Sequence, residues 1–425
     1  MALATLTPER LTQLHSELKS SYEALKDRDL KLDLTRGKPS PAQLDLSADL
    51  LTIVGPDSYT SAEGTDTRNY GGLDGLVELR EIFAELLNVP VDLLLAQGSS
   101  SLTLMYNTMS FAMLHGVSDQ ATPWIRSDNA PKILCPSPGY DRHFALCESL
   151  GIELVPVAML DDGPDLEAVR ALVANDPAVK GIWAVPAYSN PTGAVFGEDI
   201  TRELLAMPTA ADDFRIFWDN AYGLHHLTDD EAPVLDVLDI AAEAGHPDRV
   251  FIFASTSKMT FAGAGVSFWG SSPANVAWFK RHLAAQSIGP DKINQLRHAR
   301  FFGDAAGVRA HMARHRAIIE PKFAIVHKVL EDRLGDSGVA HWSSPRGGYF
   351  VSLDVLPGTA DRVVSLAKDV GVAMTPAGAA FPYGNDPEDK NIRIAPTMPT
   401  EDDVAVAIDV LATCVLLAAA EKLAA

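Results

Sequence analysis

Short apolar runs alternate with helix-like segments from about residue 90, and this alternation restricts the possible folds more than any other feature of the chain. The runs 182–185 (Ile-Trp-Ala-Val) and 250–253 (Val-Phe-Ile-Phe) are apolar at every position. Such runs are typical of strands that are covered on both faces of a sheet. Strands that alternate with helices predict βαβ units, and therefore an α/β fold with a largely parallel sheet.

The pattern also suggests two domains. Apolar runs predict strands at 91–97, 132–135, 153–157, 181–186, 215–219, 250–254 and 266–269. After residue 298 the pattern predicts a long helix at about 305–334, a strand at 348–353, a helix near 360–370, a strand at 391–394 and a last helix after Thr400. We therefore predict a large domain over residues 50–297 and a smaller α+β domain built from residues 1–49 and 298–425.

Charge and cysteine content exclude several classes of function. The 56 acidic and 35 basic residues give a net charge of −21, which argues against nucleic acid or an anionic membrane as the main partner. Three cysteines without CxxC spacing indicate a reducing compartment. The N-terminus has no signal-peptide pattern, and the apolar stretch 410–420 covers about half of a bilayer span, so we expect it to face a core. We predict a soluble, cytoplasmic protein.

Polar residues follow the predicted strands at the edge where parallel sheets bind ligands. Gly98, Ser99 and Ser100 enter a helix, and such a turn either holds a phosphate or simply caps the helix. Tyr140 follows the next strand and could stack on a planar ring or pack on the next helix. Asn190 precedes Pro-Thr-Gly in a turn that fixes its direction, although this motif alone is an ordinary loop.

Two further strand ends carry ionisable groups. Asp219 ends an apolar strand, where its carboxylate needs a cationic partner or caps the next helix, and Tyr222 follows three residues later. Lys258 follows another apolar strand in the segment Ser255-Thr256-Ser257-Lys258. An apolar environment could make this amine nucleophilic toward carbonyls, whereas an isolated lysine is more simply a surface residue.

Taken in chain order, these motifs resemble the fold-type I pyridoxal-phosphate (PLP) enzymes, specifically the class I aminotransferases. The resemblance runs from Gly37 to Arg393 and is closest to a divergent bacterial branch of aspartate aminotransferases. It implies a mostly parallel seven-stranded sheet between helices in the large domain, PLP as cofactor and a homodimer. It also implies transfer of an amino group between an amino acid, with aspartate or glutamate favoured, and a 2-oxo acid.

The resemblance assigns roles to individual residues. Lys258 would form the Schiff base and move the proton between substrate and cofactor, Asp219 would pair with the pyridine nitrogen, and His143 would support Asp219. Asn190 and Tyr222 would bind the ring hydroxyl, and Tyr140 would stack on the ring. The phosphate would be held by Gly98, Ser99, Ser100, Ser255 and Ser257, with Tyr70 reaching the neighbouring subunit's phosphate. Arg393 would clamp the substrate α-carboxylate near Gly37, Lys38 and Asn190.

Two departures from the family pattern concern positive charge. Val266 stands where the family has a phosphate-binding arginine eight residues after the lysine. The cation that would bind a distal carboxylate is also undefined. The candidates are Lys38, Arg297, His298 and Arg300, with Arg36 less favoured, so the preference for dicarboxylates rests on overall likeness.

Two other functions remain open. A PLP-dependent β-lyase of the carbon–sulfur type shares the fold. A non-catalytic aminotransferase-like regulator is disfavoured, because the 36 residues before Gly37 are fewer than the ~50 that a small domain needs. His311 and His315 are four residues apart without a third ligand, so we expect no metal site. We interpret His225 and His226 as a surface or substrate-loop pair.

Overall fold

A computed structural model describes residues 3–118 and 120–424, so residues 1, 2 and 425 of the predicted small domain lie outside it. Within these ranges the α-helices are α1 Pro8–Lys26, α2 Pro41–Asp45, α3 Val77–Leu87, α4 Ser101–His115, α5 Asp141–Ser149, α6 Leu166–Val173, α7 Glu198–Ala206, α8 Val237–Glu243, α9 Pro273–Gln286, α10 Lys292–Phe302, α11 Ala305–Leu334, α12 Ala360–Asp369 and α13 Glu401–Ala424. Short 3₁₀ turns occupy Leu3–Thr5, Ala48–Leu51, Val91–Leu93, Trp124–Arg126 and Pro382–Gly384.

The strands form three sheets. They are β1 Leu32–Asp33, β2 Leu94–Gln97, β3 Lys132–Ser137, β4 Glu153–Leu160, β5 Gly163–Pro164, β6 Val179–Ala184, β7 Arg215–Asp219, β8 Val250–Ser255, β9 Ser267–Gly270, β10 Ala340–Trp342, β11 Val351–Val355, β12 Val372–Ala373 and β13 Asn391–Ile394. The large sheet has the order β2-β9-β8-β7-β6-β3-β4-β5, and smaller sheets are β10-β11-β13 and β1-β12. The seven predicted strands are all in the large sheet, and two-residue β5 extends its edge.

The centre of the large sheet is parallel, as the alternating pattern predicted. Strands β4, β3, β6, β7 and β8 pair in parallel, whereas β9 runs antiparallel to both β8 and β2. Alternate residues of β7 enter different cores: Phe217 packs with Trp183 on one face, and Ile216 packs with Ile182 on the other. Burying each such side chain contributes about 1.5–3 kcal/mol, so both faces anchor the strand ends that carry polar residues.

A second core joins the two ends of the chain. Helices α1, α11 and α13 pack with one another and with β11 and β13. Helix α13 is long and apolar enough to cross a membrane, but 72 % of its most apolar window is buried inside the protein. The expectation that 410–420 faces a core is confirmed. The hydroxyl of Thr400 accepts a hydrogen bond from the Asp403 amide at 3.2 Å and caps this helix.

Two predicted strands begin later than expected. The predicted strand 91–97 starts with a 3₁₀ turn and becomes extended only at Leu94. The predicted strand 348–353 starts at Val351, because Gly348 has a φ of +87° and lies against Tyr188. Residue 297 lies within the continuous helix α10, and the proposed domain boundaries at 50 and 297 stay predictions.

Candidate active site

A cavity of about 200 Å³ opens at the C-terminal ends of β7 and β8. Most of the predicted cofactor-binding residues meet here although up to 158 positions separate them in the chain. The side chains and backbone that line it include Ser100, Tyr140, Asn190, Asp219, Tyr222, Ser255, Ser257 and Lys258. Parallel strands deliver these residues to one edge of the sheet, which is where ligands bind in such folds.

Asp219 has an unpaired carboxylate oxygen in this cavity. The residue is 2 % exposed, and its Oδ2 lies 3.0 Å from Nε2 of His143. The His143 ring is stacked on Trp183 with centroids 4.0 Å apart, which fixes its orientation. Oδ1 has no hydrogen-bond partner. Because a buried carboxylate oxygen without a partner is costly, this atom is suited to bind an N–H donor of a ligand.

Lys258 lines this cavity together with two tyrosines, Tyr140 and Tyr222. The Lys258 Nζ lies 4.8 Å from the ring centroid of Tyr222. Burial raises the pKa of Tyr222 well above its usual value and raises the pKa of Tyr140 to about 12. Both phenols are therefore protonated at neutral pH and can donate hydrogen bonds to a ligand.

The N-terminus of α4 provides an anion site without a basic side chain. Gly98 has a φ of +52°, and Ser100 precedes the helix without capping it through its side chain. The Ser257 hydroxyl donates to the Ser99 carbonyl at 3.1 Å, which joins the two serine segments. Backbone N–H groups and the positive end of the helix dipole suit a phosphate.

Val266 plays no part in this anion site. Its side chain is 1 % exposed in the core, and its amide donates to Thr256 Oγ1 at 2.9 Å. Apart from Lys258, no cationic residue among those described lines the smaller cavity. The groups of this chain that lie at the anion site are therefore the N-terminus of α4 and the serine hydroxyls.

A second cavity of about 680 Å³ continues from the first and shares Tyr140, Asn190, Tyr222 and Lys258 with it. Arg393, on β13, lies in its wall with the guanidinium 5.1 Å from the ring centroid of Phe350. Gly37 and Lys38 also line this cavity. A Cβ at Gly37 would lie 2.6 Å from the Phe350 ring, so only glycine allows this close approach.

Arg393 is held in place by polar neighbours that leave part of it available. Its Nη1 donates to Asp141 at 2.9 Å and to Asn190 at 3.4 Å, and its Nη2 donates to Thr375 at 3.4 Å. Nε is buried and has no partner. The edge formed by Nε and Nη2 is therefore suited to bind a carboxylate with two hydrogen bonds.

Sequence reasoning missed two residues of this second cavity. Asp141 and Arg142 follow Tyr140 directly and both line the cavity. The sequence indicated them only through their position directly after Tyr140, which was predicted to stack on a planar ring. Arg36, Lys38 and Arg142 form no ion pair with any other residue that the structure describes. These three residues are called the cation cluster below.

Three other predicted candidates for a distal-carboxylate cation do not line either cavity of this chain. His298 is buried and its ring nitrogens contact Thr260 and the Asn294 carbonyl. Arg300 donates to the carbonyls of Ser58 and Thr60. Arg297 lies on the same helix, α10, and does not line either cavity. Packing of α10 against the core keeps these residues away from the site.

Tyr70 does not join either cavity. Its side chain is 84 % exposed. The loop that carries it is held by Lys292, whose Nζ donates to the carbonyls of Asn69 at 2.8 Å and Gly71 at 2.6 Å. The predicted role of Tyr70 at a neighbouring subunit's phosphate stays a prediction.

The expectation of a surface position for His225 was wrong, although the residue does lie in a loop. The side chain is 2 % exposed, and burial together with nearby Lys258 holds its pKa well below 6.5. His226 is partly buried and bonds to the Tyr188 hydroxyl at 2.7 Å. Within residues 3–118 and 120–424, no group of three or more metal-ligating side chains is present.

The residues of the smaller cavity fit PLP. The unpaired Asp219 oxygen matches a protonated pyridine nitrogen, the N-terminus of α4 matches a phosphate, and Lys258 supplies the amine for a Schiff base. The fold and this set of groups define the class of PLP-dependent aminotransferases.

Comparison with known proteins supports the same class. The family model described as aspartate amino-transferase matches residues 6–425. A putative aminotransferase of Mycolicibacterium smegmatis is 59 % identical over 425 residues, covering 100 % of this chain and 99 % of that protein. An aspartate aminotransferase of Corynebacterium glutamicum is 50 % identical over 424 residues, covering 100 % and 98 %. The crystal structure of an aspartate transaminase from C. glutamicum has a TM-score of 0.97 at 50 % identity, covering 100 % and 99 %. This chain belongs to the aspartate amino-transferase family, and it is a PLP-dependent aminotransferase.

Proposed function

We propose that this aminotransferase acts on dicarboxylic amino acids, aspartate and glutamate, with 2-oxo acids as acceptors. The observation that carries the proposal is the cation cluster, which faces the same cavity as Arg393. A substrate with one carboxylate needs one cationic site, whereas a dicarboxylate needs two. The 50 % identical relative from C. glutamicum is named an aspartate aminotransferase, which supports the same substrate class.

The α-carboxylate would bind the free edge of Arg393. Asp141 occupies the Nη1 end of this guanidinium, so it orients the side chain without blocking Nε. Gly37 and Asn190 would border the same carboxylate. This arrangement directs the α-amino group of the substrate toward Lys258, which lines the same cavity.

The distal carboxylate would bind Arg142 and Lys38. Both side chains are exposed on the cavity wall, and neither forms an ion pair with another residue that the structure describes, although Asp33 interacts with Lys38 at longer range. A charge-assisted hydrogen bond to either contributes about 1.5–3 kcal/mol. An alanine or a leucine as substrate would leave these cations without a partner and would bind more weakly.

PLP, when bound, withdraws electrons from the substrate Cα and so lowers the barrier to proton removal there. Lys258 would carry that proton at its Nζ. Asp219 would keep the pyridine nitrogen protonated, with His143 holding the carboxylate in place. Asn190 and Tyr222 would donate hydrogen bonds to the ring hydroxyl, Tyr140 would cover the ring, and the phosphate would lie on Gly98, Ser99, Ser100, Ser255 and Ser257.

We also propose a cytoplasmic homodimer in amino-acid metabolism. Large apolar side chains that are exposed on this chain support a second copy as partner; they are Leu51, Tyr70, Leu114, Ile125 and Ile288. Tyr70 would then reach the phosphate of the other subunit. Sedimentation of the purified protein measures the assembly, and a monomer at micromolar concentration would contradict this part of the proposal.

A substrate panel tests the substrate class. Arg142→Ala and Lys38→Ala should each lower kcat/KM for aspartate and glutamate about 10- to 100-fold, which corresponds to the loss of one charge-assisted hydrogen bond. The rate with alanine should change less than about 2-fold. Lys31→Ala is the matched control, because Lys31 is an exposed lysine near Lys38 that pairs with Asp29 instead.

Equal losses for aspartate and alanine would contradict the assignment of Arg142 and Lys38. Ammonia release from cysteine or aspartate without a 2-oxo acid would show lyase chemistry instead of transamination. Borohydride reduction of the PLP-loaded protein followed by peptide mapping should place the cofactor on Lys258, and labelling of another lysine would overturn the cofactor assignment.

A further inference from the structure

A buried set of polar side chains lies behind Lys258, on the side away from the cavity. The Tyr349 hydroxyl donates to the Lys258 carbonyl at 3.2 Å. Gln43 Nε2 donates to the Tyr349 oxygen at 2.9 Å and lies 3.0 Å from His315 Nδ1. His311 Nε2 lies 3.0 Å from His315 Nε2 and 2.7 Å from the Met259 carbonyl. Gln43, Tyr349, His315 and His311 are called the support network below.

The two carbonyls at the ends of this network have no backbone partner among the described residues, although the buried His225 ring also interacts with the Lys258 carbonyl. The segment after β8 turns sharply at Thr256–Thr260, and no backbone N–H of the described residues donates to the carbonyl of Lys258 or Met259. A buried carbonyl without a hydrogen bond costs about 1–3 kcal/mol. The side chains of the support network therefore take the place of regular secondary structure at the residue that carries the reactive amine.

The support network comes from three separate parts of the chain. Gln43 belongs to α2, where its Oε1 accepts from the Ser40 amide at 3.0 Å as part of a capping box. His311 and His315 belong to α11, and Tyr349 precedes β11. The network thus ties the N-terminal segment and the C-terminal region to the lysine turn of the large sheet.

The network is uncharged. Burial lowers the pKa of His311, and burial with the neighbouring His311 lowers the pKa of His315 to about 3. Burial also raises the pKa of Tyr349 well above its usual value. The two imidazoles and the phenol are therefore neutral at physiological pH, so the network adds no charge beside the lysine turn.

We propose that Gln43, Tyr349, His315 and His311 act as positioning residues that fix the main chain of Lys258 and Met259 and thereby the direction of the Lys258 side chain. None of the four lines the active-site cavities, so their effect is exerted through Lys258. The inference rests on the proposed role of Lys258 in the reaction.

Tyr349→Phe is the direct test, because it removes one hydroxyl and keeps the ring. We expect kcat for aspartate to fall about 3- to 10-fold with KM changed less than about 2-fold, the size expected for one lost hydrogen bond. The pH midpoint of the visible absorbance of the PLP-loaded protein should shift. In the cofactor-free protein, amide hydrogen exchange over residues 255–262 should accelerate.

Tyr22→Phe is the matched control. The Tyr22 hydroxyl is also buried and also donates to a backbone carbonyl, that of Leu366 at 3.1 Å, but it lies far from the lysine turn. This variant should keep the wild-type absorbance midpoint and the wild-type exchange over residues 255–262. Equal changes in both variants would show a general loss of stability and would overturn the proposal.

A second variant tests whether the residues act together. Gln43→Met separates Tyr349 from His315, and the effects of Gln43→Met and Tyr349→Phe on kcat should be less than multiplicative when the two are combined. Multiplicative effects would contradict a connected network. The exchange measurement on cofactor-free protein needs no substrate, so failure of the proposed substrate class would leave this test intact.

Discussion

The smaller cavity, called the cofactor half below, and the larger cavity, called the substrate half, differ in which groups carry positive charge. In the smaller cavity, the anion site at the start of α4 consists of backbone and serine hydroxyls, and the one buried acid, Asp219, is held by a histidine. The larger cavity contains Arg393 and the cation cluster, with Asp141 as the acid bound to Arg393. Positive side chains are therefore concentrated in the larger cavity.

This difference explains how an enzyme of net charge −21 can bind anionic substrates. A charge at the rim of a cleft attracts an opposite charge over roughly 10 Å at moderate ionic strength, so a local cluster matters more than the overall balance. The phosphate site relies instead on backbone dipoles, which cost no desolvation of a side-chain charge.

The largest expected effect is in the cofactor half. Asp219→Ala leaves His143 and the cofactor without their shared partner, and breaking a buried pair costs about 3–5 kcal/mol. We expect kcat/KM for aspartate to fall about 10²- to 10³-fold, measured in a coupled transaminase assay. The circular dichroism spectrum should be unchanged, and a loss below about 10-fold would show that Asp219 is not the partner of the pyridine nitrogen.

Arg393→Lys tests the substrate half. Lysine keeps the charge but loses the planar edge that binds a carboxylate with two hydrogen bonds. We expect kcat/KM to fall about 10- to 100-fold, in line with 1.5–3 kcal/mol for charged hydrogen bonds, and to fall equally for aspartate and alanine. A loss confined to dicarboxylates would assign Arg393 to the distal carboxylate instead.

Stability should depend on two buried histidines, His298 and His315. The folded pKa of His298 is lowered to about 4 and that of His315 to about 3, chiefly by burial. In the unfolded chain these histidines take up protons below about pH 6.5, whereas in the folded protein they stay neutral down to about pH 4. The free energy of unfolding is therefore highest above pH 6.5 and falls as the pH decreases toward 4. Each of these two histidines lowers the free energy of unfolding by up to about 1.4 kcal/mol for every pH unit between these limits.

Urea unfolding at pH 7.5 and pH 5.5 measures this dependence. His298→Gln should reduce the difference between the two unfolding free energies. His341→Gln is the control, because His341 is exposed and its replacement should leave the difference unchanged. A pH dependence that persists fully in His298→Gln would show that other groups control acid sensitivity.

The smallest expected effect is that of salt concentration. Its influence on substrate binding and on PLP binding compares the two halves directly. Surface charges are screened as ionic strength rises, and one exposed pair contributes about 0.2–1 kcal/mol. We therefore expect KM for aspartate to rise about 2- to 5-fold between about 0.05 and 0.5 M NaCl, with the Kd for PLP nearly constant. A Kd for PLP that rises as steeply would mean that an exposed cation serves the phosphate.

The cofactor half could be predicted from sequence because its residues belong to short motifs at strand ends. Asn190, Asp219 and Lys258 each follow an apolar run that specifies a strand, and the parallel pairing of those strands brings them together. The substrate half was predicted only in part, because the family resemblance pointed to Arg393 and Lys38 but not to Arg142. Arg36, Arg142 and Arg393 come from three segments without a common pattern, and only their folding around one cavity relates them.

The sequence by itself determined the alternation of strands and helices, the order of the strand-end motifs and the absence of an arginine at residue 266. These features depend on local periodicity and on residue identity. The tertiary structure decided which cations line the larger cavity, that His225 is buried and that Gln43, Tyr349, His315 and His311 meet behind Lys258. Contacts between residues hundreds of positions apart depend on how helices pack on the sheet, and local pattern carries no information about that packing.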